Sequence, residues 1–270
     1  MSARTILITG CSSGIGFDAA HTLRARGWRV FASCRQQQDC ERLAAAGFDS
    51  PRLDYEDEAS ILAALDSVLA ATGGRLAALF NNGAYAIPGF VEDLPTDALR
   101  QIFEANLFGW HTLTRAVLPV MRRQRAGRIV QCSSVLGFVA APYRGAYVAT
   151  KFALEGLTDS LRMECRDLGI HVSLIEPGPI ATRFNENALA QYRRHIDRDA
   201  SPRTAELQAL EARYAAGKTP SRFERPAAAV TAKLIHAVES RRPRDRYFVT
   251  TPTHVAEGLR RLAPRRVLDW

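Results

Sequence analysis

Lysine is nearly missing from this chain of 270 residues: among 36 lysines and arginines, only positions 151, 218 and 233 are lysine. A sequence so inclined to guanidinium that still writes an ammonium at Lys151 points to work there that suits a compact charge with a tunable pKa. Cysteine is sparse as well. Cys11, Cys34, Cys40, Cys132 and Cys165 show no C-x-x-C spacing and no histidine cluster, which argues against a disulfide scaffold and a structural zinc site. Cys11 is read as a small space-filling side chain rather than a redox thiol. No apolar run approaches the ~20 residues of a membrane span. No charged leader or cleavage pattern precedes the apolar stretch that begins at Thr5, so a cytoplasmic protein is expected. Repeats and low-complexity segments are absent too.

With 47% hydrophobic residues, the chain can bury one sizeable core, and 1–270 reads as a single domain. The net charge of +8 is uneven: residues 241–270 hold eight arginines against Asp245, Glu257 and Asp269. Residues 253–270 read as a basic amphipathic helix and tail. A solvated face is the preferred reading, weak association with an anionic membrane surface is the alternative, and no nucleic-acid partner is expected.

Short β-branched runs alternate with helical patterns along most of the chain. Strands are expected at 5–9, 29–33, 51–53, 76–80, 128–132, 170–175 and 246–249, with helices between them. That rhythm predicts an α/β fold: one doubly wound, Rossmann-type parallel sheet of about seven strands, with helices on both faces. It breaks after Pro177-Gly178-Pro179. Residues 177–225 are expected to form a polar, helical, strandless lid at the carboxyl edge of the sheet, where ligands bind in such folds.

The first strand runs into Gly10-Cys11-Ser12-Ser13-Gly14-Ile15-Gly16 and then a helix. Strand, glycine turn and helix N-terminus make an anion site, because unpaired amides face a pyrophosphate that glycines let approach. Gly10 is expected to make the turn, Gly14 the close approach and Gly16 the helix-on-strand packing. After the second strand stand Cys34 and Arg35, where an acidic residue would accept from a ribose 2′-hydroxyl. A cation there favours NADP(H) over NAD(H). Asp54, after the third expected strand, is placed to receive the adenine amino group.

Tyr147 and Lys151 are four residues apart and share a helix face. A fixed ammonium beside a phenol is expected to lower its pKa toward the working pH, as general acid–base chemistry requires. Ser133-Ser134 lies thirteen residues earlier, and a hydroxyl there can donate to an oxygen that gains charge.

Together TGCSSGIG, NNGA, Asn106 within EANLFG, SSVLG, YVATK and EPGPIATRF resemble the short-chain dehydrogenase/reductase superfamily over essentially the whole chain. ASCR, EPGPIATRF and the long lid resemble its branch of NADP-dependent steroid, retinol and aldehyde reductases. The resemblance implies Tyr147 as proton donor and acceptor, Lys151 on the nicotinamide ribose, Ser134 polarising the carbonyl and Asn106 holding a relay water. It also places Ser12, Ser13, Ile15, Asn81, Pro177, Gly178 and Ile180 against the cofactor, with Thr182 on its carboxamide. An apolar carbonyl or alcohol would be walled by Leu136, Tyr143 and Phe184, with Phe138, Val139, Leu189 and Tyr192 as further candidates. A homodimer through the Asn106 and Tyr147 helices is implied. The alternative is a cofactor-binding sensor without turnover, which typically loses the tyrosine or lysine kept here. One departure stands out: Asn81-Asn82-Gly83-Ala84 replaces the usual N-N-A-G, which would strain the turn if Ala84 needed positive φ.

Overall fold

The computed structural model describes residues 4–216 and 222–262. Residues 217–221 of the expected lid and 263–270 of the expected tail lie outside the described residues. Among the described residues eight strands occur: β1 (Thr5–Ile8), β2 (Arg29–Ala32), β3 (Ala78–Asn81), β4 (Gly127–Cys132), β5 (Ile170–Glu176), β6 (Ile180–Ala181), β7 (Arg225–Pro226) and β8 (Arg246–Phe248). Six of them form one parallel sheet in the order β2-β1-β3-β4-β5-β8. Every residue of β1 and β3 is buried, as expected for parallel strands covered on both faces.

The helices are α1 (Gly14–Ala25), α2 (Gln37–Ala45), α3 (Glu58–Thr72), α4 (Thr96–Phe103) and α5 (Gly109–Gln124), then α6 (Gly145–Glu164), α7 (Phe184–His195), α8 (Thr204–Ala215), α9 (Ala228–Glu239) and α10 (Thr251–Leu262). Local signals explain several boundaries. The carboxylate of Asp57 accepts from the Ser60 amide at 3.1 Å and caps α3, which closes on left-handed Gly73. The helix that carries Tyr147, α6, ends at Glu164.

Two expectations about strands are corrected. The segment 51–53 is not a sheet strand: it makes only isolated bridges, Cys34 to Arg52 and, just upstream, Phe31 to Asp49. Pro51 has no N–H to give a ladder at this sheet edge, so the main sheet has six strands rather than seven. The lid is not strandless either, since β6 and β7 pair in parallel and tie its start to its end. Nor is it only polar. Ala188 and Tyr192 of α7, Ile196 just after it, and Leu207 and Leu210 of α8 are buried in a second apolar cluster that includes Tyr147, so the lid shares a core with the tyrosine helix. No described helix is long and apolar enough to cross a membrane.

The strand order places β2 and β3 on opposite sides of β1. Their carboxyl ends part at this switch point, and a cleft opens there.

Candidate active site

A cleft of about 1100 Å³ runs along the carboxyl edge of the sheet, from Arg35 and Asp54 past Ser12, Ser13, Gly14 and Ile15 to Tyr147, Lys151 and Phe184. Gly10 and Gly14 have φ of +67° and +60°, which L side chains rarely adopt. A Cβ at Gly10 would also lie 2.6 Å from the Cα of Gly83, so the loops after β1 and β3 meet glycine to glycine. The rearranged NNGA brings no strain here: Ala84 is not at positive φ, and a Cβ at Gly83 would meet only ordinary contacts, at 3.4 Å from the Gly10 Cα. Gly16 packs as expected, its added Cβ falling 2.4 Å from the Gly10 carbonyl oxygen.

Ser13 precedes α1 without making a side-chain capping bond, and the first turn carries no acidic residue. The amides of that turn therefore remain for an anion, and the site fits a dinucleotide's pyrophosphate. Arg35 lines the far end and is exposed. Asp54 lines it too, accepting from the Glu56 amide at 3.2 Å.

At the other end three groups converge from separate elements. Ser134, in the loop after β4, accepts from the Leu136 amide at 3.1 Å and donates to the Pro177 carbonyl at 3.5 Å, close to the Tyr147 phenol. Tyr147 is buried, its ring edge-on to Phe184 at 5.4 Å. Lys151 is only 1% exposed; its ammonium donates to the Cys132 carbonyl at 2.9 Å and sits 4.2 Å over the Trp110 ring. The expected pKa logic is overturned in part. Burial pushes the Tyr147 phenol above its ordinary value, and the Cys132 thiol beside it adds to the rise. The Ser134 hydrogen bond and the Arg144 charge pull it back only partly. Lys151 is not among the groups that set this shift, and burial lowers its own pKa from 10.5 to about 8. A phenol held protonated at neutral pH is suited to giving a proton to a carbonyl oxygen.

Pro177, Gly178, Ile180 and Thr182 line the cleft, as do Leu136 and Phe184. Other expected residues do not. Asn81 is fully buried: it accepts from the Tyr55 hydroxyl at 2.6 Å and donates to Gln131 at 2.8 Å and Thr114 at 3.1 Å, so it braces strands instead of reaching a cofactor. Asn106 is 0% exposed and clamps the backbone of Tyr85, donating to its carbonyl at 2.8 Å and accepting from its amide at 3.1 Å. It sits in a π-helical turn, Glu104–Phe108, the kind of bulge that re-aims one side chain. Tyr143 lies off the cleft against Phe90, and Phe138 is buried against Phe248. Val139 and Leu189 do not line it, and the Tyr192 hydroxyl is spent on the Leu207 carbonyl.

Sequence reasoning missed Trp110, Arg144 and Tyr85. Trp110 had a signal: it stands four residues after Asn106 on a continuing helix, and its indole N–H also donates to the Gly83 carbonyl at 2.9 Å. Arg144, one turn before Tyr147, lines the cleft, and spacing from Tyr147 alone could have raised it. Tyr85 had no local signal.

A family model for short chain dehydrogenases matches residues 4–193. An Escherichia coli K12 protein named uncharacterized oxidoreductase YbbO is 41% identical over 266 residues, spanning 98% of this chain and 93% of that protein. Human retinol dehydrogenase 8 is 37% identical over 198 residues, 70% of this chain and 62% of that protein. The crystal structure of a short chain dehydrogenase/reductase from Burkholderia phymatum in complex with NAD superposes with a TM-score of 0.81 at 25% identity, covering 98% of this chain and 94% of that one.

The buried ammonium sets a stability prediction. The folded pKa of Lys151 lies below its unfolded value, so its burial cost is fully present below about pH 8 and disappears as pH rises toward 10.5. Lys151→Met is expected to unfold at higher urea than the native protein at pH 7, by on the order of 3 kcal/mol. That gap should close between pH 8 and 10.5; a gap that stays constant with pH would show that the ammonium is not desolvated.

Proposed function

The chain belongs to the short-chain dehydrogenase family, and from that premise we propose that it is an NADP(H)-dependent reductase interconverting an apolar aldehyde or ketone and its alcohol. The family's nicotinamide cofactor supplies or takes up hydride when bound. The observation that carries the reading is the convergence of Ser134, Tyr147 and Lys151 on one wall of a cleft whose opposite end is the glycine loop.

Each residue has a defined task. Ser134 donates to the substrate oxygen as negative charge grows on it. Tyr147 gives its phenolic proton to that oxygen during reduction and receives it back during oxidation. Lys151 stays beside the phenol as a cation, stabilises the phenolate left behind and would hold the nicotinamide ribose. Pro177, Gly178, Ile180 and Thr182 would hold the nicotinamide end, and Gly10, Ser12, Ser13, Gly14 and Ile15 the pyrophosphate. Asn106 acts through the Tyr85 backbone, with its hold on a relay water left to a rearranged amide. Leu136 and Phe184 offer the apolar contact beside the phenol, which supports a substrate with an apolar body, steroid and retinoid skeletons included.

The preference for NADP(H) rests on Arg35 lining the cleft just after β2, flanked in sequence by Cys34 and Gln36, so that the position directly after the strand carries a cation and not an acid. A homodimer is proposed through the outward faces of α5 and α6, beside which Phe108, Phe152 and Met163 are exposed.

A panel of aldehydes, retinoids and ketosteroids with NADPH tests the reading through cofactor oxidation. Tyr147→Phe is expected to bind NADPH with native affinity while turnover falls by roughly three orders of magnitude or more; native rates would remove Tyr147 from the chemistry. Binding without turnover across the panel would favour a sensor. Arg35→Ala should raise the NADPH dissociation constant by roughly tenfold to a hundredfold and leave NADH nearly unchanged; equal weakening of both would mean that the guanidinium does not meet the phosphate. In sedimentation equilibrium, the protein should run as a dimer, and a monomer at micromolar concentration would rule the α5–α6 interface out.

A further inference from the structure

Behind Lys151, on the side away from the cleft, lies a group of charges with no part in the reaction just described. Arg246, from β8, forks across three acids: one Nη bonds both Glu155 Oε2 and Glu176 Oε1, and the other reaches Asp159 Oδ2 at 2.6 Å. Glu155 and Asp159 belong to α6, Glu176 to the end of β5. Glu176 is 0% exposed and Glu155 is buried, yet neither Glu155 Oε1 nor Glu176 Oε2 has a hydrogen-bond partner. A carboxylate in such a place is costly, and two guanidiniums serve the three acids, since Arg162 also donates to Asp159 at 3.4 Å. Side-chain volume is also fixed there. A Cβ at Gly137 would fall 2.5 Å from Ser133 Oγ and 2.8 Å from Glu155 Oε1.

Position gives the cluster its meaning. Glu155 follows Lys151 by four residues, one helical turn, on the same face of α6. Glu176 immediately precedes Pro177, where the cofactor loop begins. Arg246 therefore joins the helix that carries Tyr147 and Lys151 to the root of the loop that would hold the nicotinamide.

We propose that Glu155, braced by Arg246, is a positioning residue for the reaction, supplying the fixed negative charge against which the Tyr147–Lys151 pair holds and releases its proton. This rests on the enzyme reading given above. The groups that face the pair are accounted for as follows. Lys151 meets Tyr147 and Glu155 on its own helix, the Cys132 carbonyl and thiol from β4, and the uncharged Trp110 ring from α5. Tyr147 meets Ser134 from the loop after β4 and the Arg144 charge. Glu155 meets Arg246 from β8, Asp159 on α6, Ser133 after β4 and Glu176 on β5, and Glu176 in turn feels Glu257 from α10. Within this set, Glu155 is the carboxylate that acts on Lys151, favouring its charged form against burial. Removing it must lower the pKa of either member of the pair, since a nearby anion favours the protonated form of both.

The test is Glu155→Gln, which keeps shape and leaves Arg246 with Glu176 and Asp159. With lysines only at 151, 218 and 233, the Cε–Hε signals of 13C-lysine-labelled protein can be assigned by comparison with Lys151→Met, and Lys151 can be titrated without any turnover. In the native protein its midpoint is expected near 8, and in Glu155→Gln roughly one pH unit lower. The pH profile of kcat with NADPH should move in step and in the same direction, while the KM for NADPH stays within about twofold. Glu176→Gln alters the same cluster without being adjacent to Lys151, and burial pushes the Glu176 carboxyl up to about 8, so it should move the midpoint less than half as far. Arg246→Lys keeps the charge but not the fork, so it should lower kcat with the midpoint near native.

An unmoved Lys151 midpoint in Glu155→Gln, or an equal shift in Glu176→Gln, overturns the proposal. So does a lowered midpoint with an unmoved kcat profile. Absence of turnover in the native protein on every carbonyl would refute the enzyme reading, and with it any role for Glu155 in a reaction, while the lysine titration separately reports whether Glu155 sets that charge. If Glu155→Gln does not fold, Glu155→Asp draws the charge back by one methylene; a smaller fall in the midpoint supports the assignment, and none overturns it.

Discussion

Moving an ammonium out of water costs several kcal/mol unless its protons find partners and a compensating charge is near. Lys151 meets that condition with few resources: one carbonyl, one aromatic face and a carboxylate one turn along the helix. The surroundings are arranged to supply them. The carbonyl of Cys132 is available because β4 ends there, the indole of Trp110 is locked by its bond to the Gly83 carbonyl, and α6 is pinned by Arg246. A flexible surface lysine would cost nothing to hold and would hold nothing in return.

The same economy governs the glycine loop. Gly10 and Gly83 touch where the chain leaves β1 and β3, and Thr9 fixes that meeting by accepting from the amides of Asn82 at 2.8 Å and Gly83 at 3.3 Å. Asn81 secures the layer below through Tyr55, Thr114 and Gln131. The cleft thus runs over two loops locked together by buried polar bonds, and the first turn of α1 faces into it with its amides free. Rigidity of this kind aligns a cofactor and its substrate without reorganisation at the moment of reaction.

How far the site was legible varied with the range of the contact. Tyr147 and Lys151 could be paired by counting, because four residues on a helix fix a common face. Gly10, Gly14 and Gly16 could be assigned jobs, because strand, turn and helix are local. Ser134 was legible as part of a motif, though nothing local brings it to Tyr147. Trp110, Tyr85 and Arg246 act on groups far away in the chain, and no periodicity encodes such meetings. The shift of the Tyr147 phenol was read with the wrong sign for one reason. Charge pairs can be guessed from spacing, whereas desolvation depends on everything that covers the group, here including the lid helix that brings Phe184 against the ring.

By itself, then, the sequence determined the alternation of strand and helix, the switch-point loop, the cation after β2 and the face shared by phenol and ammonium, all consequences of backbone geometry within a few residues. Tertiary structure alone decided that the segment at 51–53 stays out of the sheet, that Asn81 and Asn106 turn inward as braces, and that Arg246 gathers three carboxylates behind Lys151. These outcomes depend on burial and on which distant surfaces meet, quantities that exist only once the chain has packed.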